Sequence, residues 1–257
     1  MIFGRKKHAP DDADPEIDDD PAVELPDDDT DAAHGISAGG GDPDEDDKPE
    51  REAPKDEWEI FDASQDWRAD GPFDISEVDL DADDVERLDF GCLVLTPFDG
   101  MQLQLQVNQQ TQEVQAILIL EGQSVLELSL FAAPSDRVML GQVRDEMLAN
   151  TSKDGGTFTL SKGPFGTEVR RVVPITTPDG QHGYHVSRTW FAQGPRWLLR
   201  GVVMGEAGLS EGSDGPGELL YEFFANTVVR RGDRPMVPGD LITLSLPESL
   251  KNQPAAD

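Results

Sequence analysis

Arg188, Trp190, Arg196, Trp197 and Arg200 bring guanidinium and indole groups together in one short stretch, with Arg170 and Arg171 not far upstream. Arginine neutralises phosphate, and aromatic rings stack on bases, so this pairing on an exposed sheet binds single-stranded nucleic acid. The same residue types also make protein-binding hot spots. A strand period of two puts Arg188 and Trp190 on one face, puts Arg196 and Arg200 on one face of their own strand, and leaves Trp197 opposite. A purely structural reading stands beside these two. In it the tryptophans fill the core and the arginines pair with the chain's surplus carboxylates. Arg170, Arg188, Trp190, Arg196 and Arg200 form the candidate interaction surface.

Other chemistry is sparse. His182 and His185 stand as HGYH across a turn. Two imidazoles without a nearby cysteine or a third ligand make a weak zinc site, so no metal and no cofactor is expected. His8 and His34 fall in a segment that gives them no geometry. Cys92 is the single cysteine, set in an apolar run, and reads as a small buried hydrophobe. There is no Gly-x-Ser-x-Gly elbow. The glycine-containing stretch 205–217 is acidic and would repel phosphate. The acidic blocks lack the spaced ligands of an EF-hand.

The elements that must position these residues are organised around 101–131, MQLQLQVNQQTQEVQAILILEGQSVLELSLF. Leu103, Leu105 and Val107 alternate with Gln102, Gln104 and Gln106, which predicts a strand with one buried and one polar face. Residues 114–120 form a nearly continuous apolar run, and Leu126, Leu128 and Leu130 alternate again. A first strand is expected over 91–96. A second group is expected over 157–162, 167–175, 183–191 and 196–204. Ser135 or Asp136 is the expected N-cap of a helix reaching Ala149. Leu219, Leu220, Phe223, Phe224, Thr227 and Val228 predict a second helix over 216–231, with Gly232 as its stop. The loop 206–217 reads as flexible, and 241–246 as a short final strand.

The charge is lopsided. The chain has 257 residues and a formal net charge of −31, and residues 1–57 hold 21 acidic against 6 basic residues. Such a segment cannot bury enough apolar surface to fold, so a disordered acidic tail is expected. Residues 58–84, with Trp58, Phe61 and Trp67, read as a transitional segment lying on the domain. Residues 85–248 read as the folded domain, and 249–257 as a frayed end. The fold class is therefore α+β: an antiparallel sheet of about six to eight strands covered by two helices. No apolar run is long enough for a transmembrane segment. The start, MIFGRKK, lacks an apolar h-region, and the expected location is the cytoplasm.

The MIFGRKK start, the acid-rich N-terminal third, FAAPSDRVMLGQVRDEML and GPRWLLRGVVMG together resemble the domain-of-unknown-function 3710 family, an actinobacterial family without an assigned activity. The resemblance implies a bacterial, cytoplasmic protein and adds no site residues. The expected function is a non-enzymatic interaction or adaptor module with an acidic regulatory tail and a protein partner carrying a basic surface. The alternative is single-stranded nucleic-acid binding through the Arg/Trp face, guarded by the tail. An enzyme with a site invisible in the sequence stands third.

Overall fold

The computed structural model of the protein describes residues 56–177 and 180–247. The acidic tail, apart from Asp56 and Glu57, lies outside the described residues. So do Pro178, Asp179 and the frayed end expected after 248.

The alternation in the central stretch becomes three strands, β4 (Gln102–Val107), β5 (Val114–Glu121) and β6 (Ser124–Ala132). Three short strands precede them: β1 (Phe73–Asp74), β2 (Leu88–Asp89) and β3 (Leu93–Leu95). Downstream come β7 (Thr157–Gly163), β8 (Gly166–Thr176), β9 (His182–Gly194), β10 (Trp197–Gly205) and β11 (Val228–Val229). The helices are α1 (Glu57–Asp62), α2 (Leu140–Lys153), α3 (Glu206–Leu209) and α4 (Glu218–Ala225).

Seven strands form one antiparallel sheet in the order β4-β5-β6-β10-β9-β8-β7. This is the α+β sheet the sequence calls for. Four short strands form a second sheet, β1-β11-β3-β2, in which β1 and β11 run parallel. Of its strands the sequence announces only β3, within the strand expected over 91–96, because strands of two residues carry no readable period.

The pleat sorts the large sheet into two faces. On one face Leu103, Ile117, Ile119, Leu126, Leu128 and Leu199 join the buried cluster that also contains Phe224 and Val229. On the other face Val169, Phe191 and Leu198 pack with Met139, Val143 and Met147 around α2. Gln102, Gln104 and Gln106 are exposed as the alternation predicts, while Val107, also exposed, sits beside a register irregularity in the β4–β5 pairing.

Both long helices differ from expectation. α2 begins at Leu140 rather than Ser135, and Met139 at its N-cap makes no side-chain cap. The Met139 amide instead donates to Gln193 Oε1 at 2.8 Å, so a residue of β9 does the capping and no local sequence pattern announces the start. α4 stops at Ala225, short of the expected Arg231. The stripe misleads because Val228, apolar at helical spacing, is also β-branched, as is Val229 beside it. They leave the helix to pair with Val94 and Leu93. The loop expected to be flexible contains α3 and a 3₁₀ turn, Gly215–Gly217, with Ala207 fully buried.

Two straps close the domain. Arg144 of α2 is buried and ion-pairs with Asp56 at 2.9 Å and Asp62 at 3.4 Å, which ties α1 to α2. Beyond Leu128, where β5 ends its pairing, the C-terminal segment takes over the edge of β6. Gly239 N donates to Ala132 O, and Ile242 N donates to Leu130 O, each at 2.8 Å. The edge is thereby covered rather than left as a template for further pairing.

Candidate ligand pocket beneath α2

The structure separates the residues that the sequence groups into one surface. Arg188 and Trp190 are 2% and 1% exposed and lie on the inner face of β9. There they meet Glu168 of β8, itself buried. Arg188 donates from Nε to Oε1 at 2.9 Å and from Nη2 to Oε2 at 2.8 Å. Trp190 Nε1 donates to Oε2 at 2.7 Å, and Arg170 Nε donates to Oε1 at 3.2 Å. Remaining donors of the two arginines reach backbone carbonyls of the α3 region, Arg188 to Ala207 and Arg170 to Ser210. The expectation of an exposed Arg/Trp face is thus corrected. The carboxylate is saturated with donors, so Arg188 cannot reach a phosphate and Trp190 offers no face for a base.

Arg196 sits in the β9–β10 turn with φ of 62° and donates to Gly232 O at 2.7 Å. Trp197, on the inner face, donates from Nε1 to Asp74 Oδ2 at 2.8 Å. His182 Nδ1 lies 3.2 Å from Thr176 Oγ1. His182 and His185 differ in strand parity, so β9 directs them to opposite faces. Cys92 is half-buried, and burial pushes its thiol above the usual range, which disfavours the nucleophilic thiolate.

Arg200 alone among the candidates faces α2. It stands opposite Phe191 of β9 and Ser129 of β6. Its guanidinium lies 5.1 Å from the Phe131 ring centroid, and Nη2 contacts Glu127 Oε1 at 3.4 Å and Ser129 Oγ at 3.3 Å. With Arg171 it lines a cavity of about 400 Å³ between α2, the sheet and the Pro238–Gly239 turn. The volume falls in the range of small-molecule sites.

The same cavity has apolar walls from both layers, with Phe131, Phe191 and Leu198 on the sheet side and Met139, Val143 and Met147 on the helix side. Its lining carries three guanidiniums, Arg137, Arg171 and Arg200, against one carboxylate, Glu146. That balance opposes the chain's overall charge of −31. Arg171 has no ion pair or side-chain hydrogen bond among the described residues, and its Nε is buried. Burial, then the positive charge of Arg200, lowers the Arg171 pKa from its ordinary value, with Glu127 and Asp154 acting in the opposite direction. Burial likewise lowers the Arg200 pKa, against the pull of Glu127.

Between the two arginines the sheet presents more unspent polarity. Ser187 stands directly opposite Arg171 across β8–β9, and Thr189 follows two positions on, on the same face. Both are fully buried, and neither hydroxyl has a hydrogen-bond partner among the described residues. Sequence reasoning names Arg171 only as a neighbour of the candidate surface and leaves out Ser187 and Thr189. The available signal was their shared parity: Arg171 on the side of Val169, and Ser187 and Thr189 on the side of Phe191, polar positions on a face that must be covered.

Residues 71–253 match the family described as "Protein of unknown function (DUF3710)", and the chain belongs to that family. No curated protein matches it. A crystal structure of a protein from Bacteroides thetaiotaomicron VPI-5482 is similar at 11% identity and a TM-score of 0.31, over 56% of this chain and 47% of that one. Among the described residues no helix is long and apolar enough to cross a membrane.

Proposed function

We propose that the protein is a non-enzymatic binding module whose ligand is an anion held by Arg171 and Arg200 in the groove beneath α2. The observation that carries the reading is Arg171, a partly desolvated guanidinium without a carboxylate partner in a chain that has carboxylates to spare. A buried charge costs stability unless something pairs with it. An anion entering the groove supplies the pairing. The lining contains no histidine, cysteine or serine and a single carboxylate, which supports binding rather than turnover. Calorimetric titration of the full chain with a panel of inorganic and organic anions at low salt is the test. At least one anion should bind, more weakly as salt rises, and Arg171→Gln should weaken it tenfold or more. Silence from the whole panel would refute this reading.

A second reading keeps the adaptor role and places it in the acidic N-terminal segment, acting as an electrostatic ligand for a basic protein partner. It is supported by the 21 acidic against 6 basic residues over 1–57. The full chain should bind a polylysine column and elute at moderate salt; flow-through at low salt would sink this role.

A further inference from the structure

We propose that the occupant of the α2 groove is a small amphipathic carboxylate, its head between Arg171 and Arg200 and its apolar body along Met139, Val143, Met147 and Leu198. This rests on the reading above that the groove holds an anion, and adds what kind.

Charge argues for a monoanion. Arg200 already has Glu127 against it, so the floor of the groove holds one uncompensated guanidinium, that of Arg171. A carboxylate carries one negative charge and neutralises it. A phosphate monoester carries nearly two at neutral pH and would leave a surplus in a half-dry site. Arg137 and Glu146, the other charged groups of the lining, offset one another, and Asp154 acts on Arg171 without forming an ion pair. A guanidinium presents a planar fork that matches carboxylate geometry.

The walls argue for an apolar body. An inorganic anion needs no methionines, whereas Met139 and Met147 give a flexible, polarisable wall that adapts to an alkyl or aryl group. The cavity of about 400 Å³ is in the range of small-molecule sites and leaves room for an alkyl or aryl body beside the carboxylate head.

Calorimetric titration of the full chain with straight-chain carboxylates from hexanoate to tetradecanoate, below their micellar concentrations, reads this directly. Affinity should rise about fourfold per methylene until the groove is full, then level off. The matched alcohols should bind at least tenfold more weakly. Arg171→Gln should remove that preference, and Met147→Trp, which obstructs the groove and leaves both arginines in place, should abolish binding of the long carboxylates. Acetate or inorganic phosphate binding as tightly as decanoate would overturn the amphipathic ligand and leave the anion site standing. Alcohols binding as tightly as carboxylates would also overturn it. Failure of every carboxylate and of phosphate would overturn both this inference and the anion-binding reading.

Discussion

Glu168 and Arg188, diagonal neighbours across the β8–β9 pairing, form a two-pronged ion pair, 2.9 and 2.8 Å, at a site where both side chains are almost wholly buried. Trp190 adds a third donor to the same carboxylate. Arg170 also donates to that carboxylate, and Arg188 and Arg170 reach the carbonyls of Ala207 and Ser210, so the cluster ties β8, β9 and the α3 segment together.

Removing one partner of this pair should be costly. Glu168→Ala leaves Arg188 as a buried, unpaired charge, a change worth about 3–5 kcal/mol. Replacing both residues together, with Glu168→Leu and Arg188→Met, should cost clearly less than the two single changes combined. Urea unfolding of the four proteins in a double-mutant cycle checks this. Additive single effects would show that the pair is not coupled.

How much of this was legible in advance depends on where each contact's information resides. Leu103, Leu126 and Leu128 announced their strands because alternation is local, and the hairpin order of 101–131 fixed their neighbours. The start of α2 was misplaced because its cap comes from Gln193, distant in sequence. Arg188 and Trp190 were placed on a surface because period alone gives parity and not which face is inside. Only the partner, Glu168, settles that, and one acidic residue among 52 Asp and Glu gives no signal by itself. The groove was invisible for a related reason, since its walls come from α2, four strands and a C-terminal turn.

Gly201 in the middle of β10 should not tolerate a methyl group. A Cβ built there would meet the Phe224 ring at 2.7 and 2.8 Å and Leu126 Cδ1 at 3.1 Å. The missing side chain lets α4 press its aromatic ring onto the sheet. Gly201→Ala should lower stability by about 1–3 kcal/mol through overpacking, read as a lower melting temperature. A paired Phe224→Leu change should recover part of the loss.

Gln193 joins the β9 end to the α2 start through both ends of its amide: Oε1 accepts from Met139 N at 2.8 Å and Nε2 donates to Arg137 O at 2.9 Å. Gln193→Ala should cost about 1 kcal/mol, the size of a lost cap. Amide exchange should quicken in the first turn of α2 and stay unchanged in β5 and β6. Because Met139 and Arg137 belong to the groove, anion affinity should fall with it. A variant with normal exchange in α2 would show that the helix start is fixed by packing alone.

Acid should loosen the small sheet through Asp74. Burial by itself would raise the Asp74 carboxyl, but hydrogen bonds from Ser76 and Trp197 and the Arg68 charge overcome it and hold the pKa below the ordinary 3.8. Glu77, hydrogen-bonded by Arg68, is held below its ordinary 4.5 despite its own burial. Both groups titrate lower in the folded chain than in the unfolded one. Their contribution is therefore complete above the ordinary carboxylate range and is lost as pH falls through the depressed folded values. The expected signature is a fall in stability on acidification below about pH 4. Asp74→Asn should flatten that fall, because its amide does not titrate, while being less stable than the parent at pH 7. Urea unfolding from pH 7 down to pH 3 makes the comparison. Equal acid slopes in the two proteins would show that Asp74 has no part in the acid response.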